Sequence, residues 1–379
     1  MQSIQSAPPL TASYRPTMFR VRIWKTFLRL ILIVVGIVVG LLLCEVIMRA
    51  SRLGNKRVVT LYNNRIFKLP PHFSFINFNE NKNVVETNNL GFHDHDRQAT
   101  NDNYRVLFLG DSFLEGRQVD TDRLFTTRLE SRFNQEGQRI ETINGGISGT
   151  GTANQYVLWK EFFEPNIKVD HVVLSFFMGN DLVDNNFELA SSTLGGSDSA
   201  FFVDSEGTIF NVGREPGPLK KTINLVRNHS VLINTLYEQA YQKRKTLREE
   251  SEEYSGDKGG RVDESGAWRA SEQGTITLIK RWKSELAEKN IPFDVVVIDR
   301  PGKVYNKFEL EFGGRLREMC GQDHIDCLWL KLSDDPYKSY SFDGIYLGHF
   351  SYQGHEQAAN ELYDYFKTRH AALFNRSAR

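Results

Sequence analysis

The sequence has no net charge: across 379 residues, 47 Lys and Arg balance 47 Asp and Glu. The balance is uneven along the chain. Nine basic residues and one acid, Glu45, precede Val58, and the remainder carries 38 basic against 46 acidic residues. A mildly acidic body excludes nucleic acid as a partner, because phosphate binding needs a basic face. Internal repeats are lacking. So is a Walker-type phosphate loop, and in "GGISGTGTAN" Asn154 stands where a dinucleotide loop needs a third glycine after Gly149 and Gly151. No G-x-S-x-G elbow occurs, which removes the α/β-hydrolase fold. "HDHD" (His93–Asp96) has no third ligand nearby to complete a metal site, and it reads as a polar surface turn.

Charge is also missing from Leu30 to Cys44, "LILIVVGIVVGLLLC". With its flanks, residues 27–48 reach the roughly 20 apolar positions that cross a bilayer. A cleaved signal peptide would end in a small-residue site, and "LLLCEV" offers none. The segment therefore reads as an uncleaved anchor. Arg15, Arg20, Arg22, Lys25 and Arg29 precede it, whereas Arg49, Arg52, Lys56 and Arg57 follow it. This small bias leaves residues 1–26 cytoplasmic and the body outside the cytoplasm. Cysteine is scarce. Cys44 serves as a small apolar residue within the anchor. Cys320 and Cys327 are near enough to bridge, which fits an oxidising compartment, or they remain two thiols.

Residues 49–100 read as an irregular lead-in, rich in Asn. A strand–helix alternation then occupies 101–373. The strands are "YRVLFL" (104–109), "RIETIN" (139–144), "HVVLSFF" (171–177), "FDVVVID" (293–299) and "IDCLWL" (325–330), with helices over 122–137, 152–164, 275–289, 304–319 and 354–373. Near-continuous apolar runs are strands covered on both faces. The expectation is a three-layer, flavodoxin-like α/β fold with a five-stranded parallel sheet. The rhythm breaks over 184–274, an inserted, lid-like region with Ser/Gly clusters, a hairpin around "FFVDSEGTIFNV" and a solvated charged helix, "KRKTLREESEE".

Ligands of open α/β sheets bind outside the carboxyl ends of the strands. There the sequence puts "GDS" (Gly110–Ser112), "NGGISGTG" (Asn144–Gly151) and "MGND" (Met178–Asp181), with "DGIYLGHFSYQGH" (Asp343–His355) after the last strand. A serine nucleophile needs a base to take its proton and donors for the oxyanion it creates. Ser112, a His from the last loop, and glycine or Asn donors supply these types. Gly-Asp-Ser and Gly-Asn-Asp are each ordinary turn chemistry alone. Their shared placement at one rim carries the reading.

In this order the four segments resemble the blocks of the SGNH (GDSL-like) hydrolase superfamily, especially its membrane-anchored bacterial members. The likeness spans about residues 88–186 and 275–370 and omits the insertion. It implies Ser112 as nucleophile, His349 as general base, and Ser112, Gly149 and Asn180 as oxyanion donors. The resemblance also implies an acid two or three residues before the His, but Tyr346 and Leu347 stand there. Asp343, six residues upstream, is the expected triad acid, and a Ser–His dyad is the other arrangement. His355 and Asp111 read as structural. The implied activity is hydrolysis of an acyl or acetyl ester of a small molecule, lipid or envelope polysaccharide, without metal or organic cofactor. Acyl transfer to a sugar, or glycan binding without turnover, are the rival readings.

Overall fold

The structure is a computed structural model describing residues 17–51, 60–62, 66–77, 80–192, 201–212, 218–237, 239–240, 243, 264–299, 305–332, 336–340 and 348–374. Two compact units divide the chain, Met1–Leu53 and Gly54–Arg379. The first contains one helix, α1 (Thr17–Ala50). Its apolar stretch, Trp24–Ala50, has 27 residues. At 1.5 Å per residue that is about 40 Å, longer than a bilayer's hydrocarbon core. The exposed Leu, Ile and Val side chains all round it give no buried stripe for a protein core.

The second unit opens with two antiparallel hairpins: β1 (Thr60–Tyr62) with β2 (Ile66–Lys68), and β3 (Ser74–Asn77) with β4 (Asn83–Glu86). The lead-in expected to be irregular is therefore partly ordered. Asn81 and Asn83 reach back to the body, donating to the carbonyls of Gln118 (2.9 Å) and Val119 (2.6 Å). Those side-chain bonds fasten a segment with little apolar patterning of its own.

The main sheet consists of β5 (Tyr104–Gly110), β6 (Ile140–Gly146), β7 (His171–Phe177), β10 (Phe293–Ile298) and β11 (Asp326–Trp329). All neighbours run parallel in the order β11-β10-β7-β5-β6. The order reverses between β5 and β7, the switch point where open sheets form their crevice. Alternate residues serve opposite faces, as strand geometry requires. Leu107, Leu109, Leu174 and Val295 join one core with Phe163, Trp282 and Phe312. Val106, Phe108, Val173 and Val296 join the other with Phe125, Phe350, Leu362 and Phe366. The fold is thus three-layered and flavodoxin-like.

Helices α2 (Ser112–Glu115), α3 (Phe125–Gln135), α4 (Thr152–Leu158), α5 (Glu264–Glu288), α6 (Lys307–Gln322) and α7 (Tyr352–Arg369) complete the layers. α5 starts well before the expected residue 275, because buried Ala267, Trp268 and Ser271 extend its inner face. The inserted region contributes the hairpin of β8 (Phe201–Val203) and β9 (Ile209–Asn211). It docks beside α4, where the Asn154 side chain accepts from Phe201 N (3.2 Å) and donates to Phe201 O (2.9 Å). Much of the charged run "KRKTLREESEE" lies outside the described residues. A disulfide joins Cys320 of α6 to Cys327 of β11.

Candidate active site

β5 ends at Gly110 because the chain needs a close approach there. A Cβ on Gly110 would sit 2.8 Å from Ser175 Cβ on the neighbouring strand. Asp111 caps the short helix that follows, its carboxylate accepting from Phe113 N at 2.9 Å. Ser112 is thereby the first helical residue, half-buried on a turn directly beyond the sheet.

His349 meets this serine, its Nε2 lying 2.6 Å from Ser112 Oγ. On the other side of the ring, Nδ1 lies 2.6 Å from Glu80 Oε1, and the backbone N–H of His349 donates to Glu80 Oε2 at 2.9 Å. Glu80 occupies the turn of the β3–β4 hairpin. Glu80 thus stands at the imidazole where Asp343 was expected, and Asp343 itself lies outside the described residues. Glycine at 348 makes the approach feasible, because a Cβ there would stand 2.4 Å from Glu80 Cδ. The ring of Phe113, centred 4.8 Å from that of His349, packs against the imidazole.

Two more expected residues sit on adjoining strand ends. Gly149, in the loop after β6, has φ +72°, a left-handed conformation that favours glycine. The loop is tied to the serine turn by Glu115, whose carboxylate accepts from Ser148 N at 2.9 Å. Asn144 braces the same junction, donating to Leu114 O at 2.9 Å. Asn180 follows β7 and donates Nδ2 to Asp184 Oδ2 at 2.8 Å.

Behind the serine lie two buried acids, Asp111 and Asp181. Burial pushes the Asp111 carboxyl up to about 6, against the lowering effect of its hydrogen bonds and of His349. Asp181 is raised by burial first, then by the charges of Asp111 and Asp184. Asp181 accepts from Phe177 N at 3.1 Å. Asp111 Oδ2 and Asp181 Oδ1 are buried without hydrogen-bond partners. The pair favours holding one proton between two carboxyls.

His355 is fully buried at the start of α7. It accepts the Phe125 N–H on Nδ1 at 3.1 Å, and burial pushes its pKa down to about 3. It is a neutral structural acceptor. "HDHD" departs from the surface-turn expectation. His93 is buried with Nδ1 2.8 Å from Glu115 O, and Asp94 is buried in a bidentate pair with Arg97. Only His95 and Asp96 face solvent.

Glu80 was not foreseen from sequence. The usable signal was the missing acid before His349, together with a hairpin pattern, "SFIN…NVVE", around an acidic turn.

No protein-family model and no curated protein matches the chain. Similar solved structures include a family 3 carbohydrate esterase from Clostridium thermocellum, 14% identical over 73% of this chain and 100% of that one, with TM-score 0.39. The lipase/acylhydrolase from Enterococcus faecalis is 12% identical over 70% and 96%, with TM-score 0.38. The psychrotrophic esterase from Pseudoalteromonas sp. is 12% identical over 70% and 97%, with TM-score 0.36.

Proposed function

We propose that the protein is a membrane-anchored serine ester hydrolase of the SGNH type, with Glu80 in the role expected of Asp343. One observation carries this reading. A serine hydroxyl, an imidazole and a carboxylate stand in line through two 2.6 Å contacts at the carboxyl end of β5. That is the constellation that activates a serine.

Ser112 Oγ attacks the ester carbonyl while His349 Nε2 takes its proton. Glu80 holds Nδ1–H and stabilises the imidazolium that forms. The N–H groups of Ser112 and Gly149 and the Asn180 amide receive the oxyanion. His349 then protonates the departing alkoxide, and water, activated by the same base, releases the acid from Ser112. The substrate is an acyl ester, and an acetyl ester of an envelope polysaccharide suits a tethered body outside the cytoplasm. The Cys320–Cys327 disulfide supports that location, since such bonds persist in oxidising compartments. The inserted region borders the site after Asn180 and shapes substrate choice.

The test uses the full chain in detergent. Wild type should hydrolyse p-nitrophenyl acetate and label with a fluorophosphonate, and Ser112→Ala should abolish both. A folded wild type that does neither would overturn the reading. Comparison with longer acyl esters then ranks chain length.

A further inference from the structure

At the opposite end of the sheet three potential ligands converge. His171 opens β7, Asp294 is the second residue of β10, and His370 follows the last residue of α7. Their donor atoms all lie within 4.8 Å of one another. His370 Nε2 is 2.8 Å from Asp294 Oδ2, and His171 Nε2 is 3.1 Å from the same oxygen.

The second approach is poorly aligned for a hydrogen bond, and His171 Nε2 is buried beside the carboxylate. The other ring nitrogen is engaged elsewhere. Nδ1 lies 3.4 Å from the Tyr104 hydroxyl, which gives its own proton to Asp170 O at 3.3 Å. His171 is thus held by Tyr104 on one ring nitrogen and faces the Asp294 carboxylate with the other. The Tyr365 hydroxyl is buried beside the same carboxylate. Its ring packs 5.9 Å from that of His370, and burial followed by the Asp294 charge disfavours its ionisation. The nearby Arg369 charge is already paired, donating to Asp326 Oδ1 at 2.9 Å.

We propose that His171 Nε2, Asp294 Oδ2 and His370 Nε2 form a structural site for a divalent transition cation of the zinc class. Two imidazoles and one carboxylate suit Zn²⁺, with the Tyr365 hydroxyl or water in the fourth position. Tetrahedral ligands at Zn–N and Zn–O lengths stand roughly 3.3 Å apart, close to the 2.8 and 3.1 Å of the two His–Asp approaches here. Tyr104 would orient His171 through the nitrogen that does not bind metal. The ion would fasten the end of α7 to the starts of β7 and β10. β7 is seven residues long, which puts the ion roughly 20 Å from the strand ends that carry Ser112. Its role is thus stability, not turnover.

The test uses the full-length chain in detergent, stripped with a chelator and given Zn²⁺ alone. Metal content after gel filtration and the unfolding temperature are the readouts. One zinc per chain and a rise of several degrees are expected, both lost in His370→Ala and Asp294→Asn and both kept in His349→Ala. If Asp294→Asn fails to fold, His370→Ala, at a partly exposed helix end, carries the test. Folded wild type without zinc overturns the proposal, as does binding that survives His370→Ala but fails in His349→Ala.

Discussion

Glu80 and His349 lie 269 residues apart in sequence and meet twice, once through the ring nitrogen and once through the backbone N–H. Two bonds from one carboxylate fix both the ring's tautomer and the loop that bears it.

Glu80→Gln keeps the volume and removes the charge. The amide would stabilise the wrong tautomer of His349, so kcat should fall by about 10²- to 10⁴-fold with KM little changed. Asp343→Asn should retain near-wild-type turnover. Steady-state kinetics on a p-nitrophenyl ester separates the two, and the reverse ranking would return the orienting role to Asp343.

Gly348→Ala should act through the same carboxylate, because the new Cβ would stand only 2.4 Å from Glu80 Cδ. The single variant should lose at least tenfold in kcat. Combined with Glu80→Gln it should cost little more, since both remove one interaction. Additive losses in that double-mutant cycle would refute the shared cause.

The acid pair behind Ser112 predicts a pH-dependent stability of uncommon sign. Asp111 is raised from 3.8 to about 6, so the folded state binds more protons than the unfolded state between those values. Stability from this group is fullest below pH 3.8 and falls as pH climbs to about 6. Asp181→Asn removes the facing charge, and the variant should be the more stable protein at pH 7 to 8. Urea midpoints measured from pH 4 to 8 for both proteins check this.

His355 and His349 should separate cleanly. His355→Phe leaves the buried Phe125 N–H without an acceptor, costing about 1–3 kcal/mol of stability with kcat nearly preserved. His349→Gln should do the reverse. Urea unfolding and ester turnover, run on both variants, give the comparison.

The Cys320–Cys327 bond closes a short loop, with a sequence separation of 7. Loop-closure entropy puts its contribution at about 2.5 kcal/mol. Cys320→Ser/Cys327→Ser should lower the unfolding midpoint accordingly, and reductant should then have no further effect. An unchanged midpoint would mean that the bridge constrains nothing.

The sheet was legible because its strands are the plainest pattern in the sequence. "HVVLSFF" is apolar throughout, as only a strand covered on both faces can be. The positions of Ser112, Gly149 and Asn180 were legible because their segments follow strands of that sheet, whose ends meet at one rim. Glu80 could not be read in the same way. It sits in "NFNENKNVV", a polar turn with no periodicity, and only tertiary pairing brings it to His349. "HDHD" misled for a related reason. Polarity implied a surface, but the Asn144 N–H reaches Asp94 from fifty residues away, and the Glu115 carbonyl holds one nitrogen of His93 inside the protein. Local pattern reports burial of apolar groups, whereas a buried polar group depends on partners distant in sequence.

The hairpin that carries Glu80 leaves one practical mark on how this molecule can be dismantled. Proteolytic shedding between α1 and β3 would free a body with all three members of the relay intact. A cut between β4 and β5 would sever Glu80 from the fragment that contains Ser112 and His349, leaving only noncovalent bonds to hold the proposed relay together. On the proposed reading, where the chain is clipped decides whether the relay survives as one covalent piece.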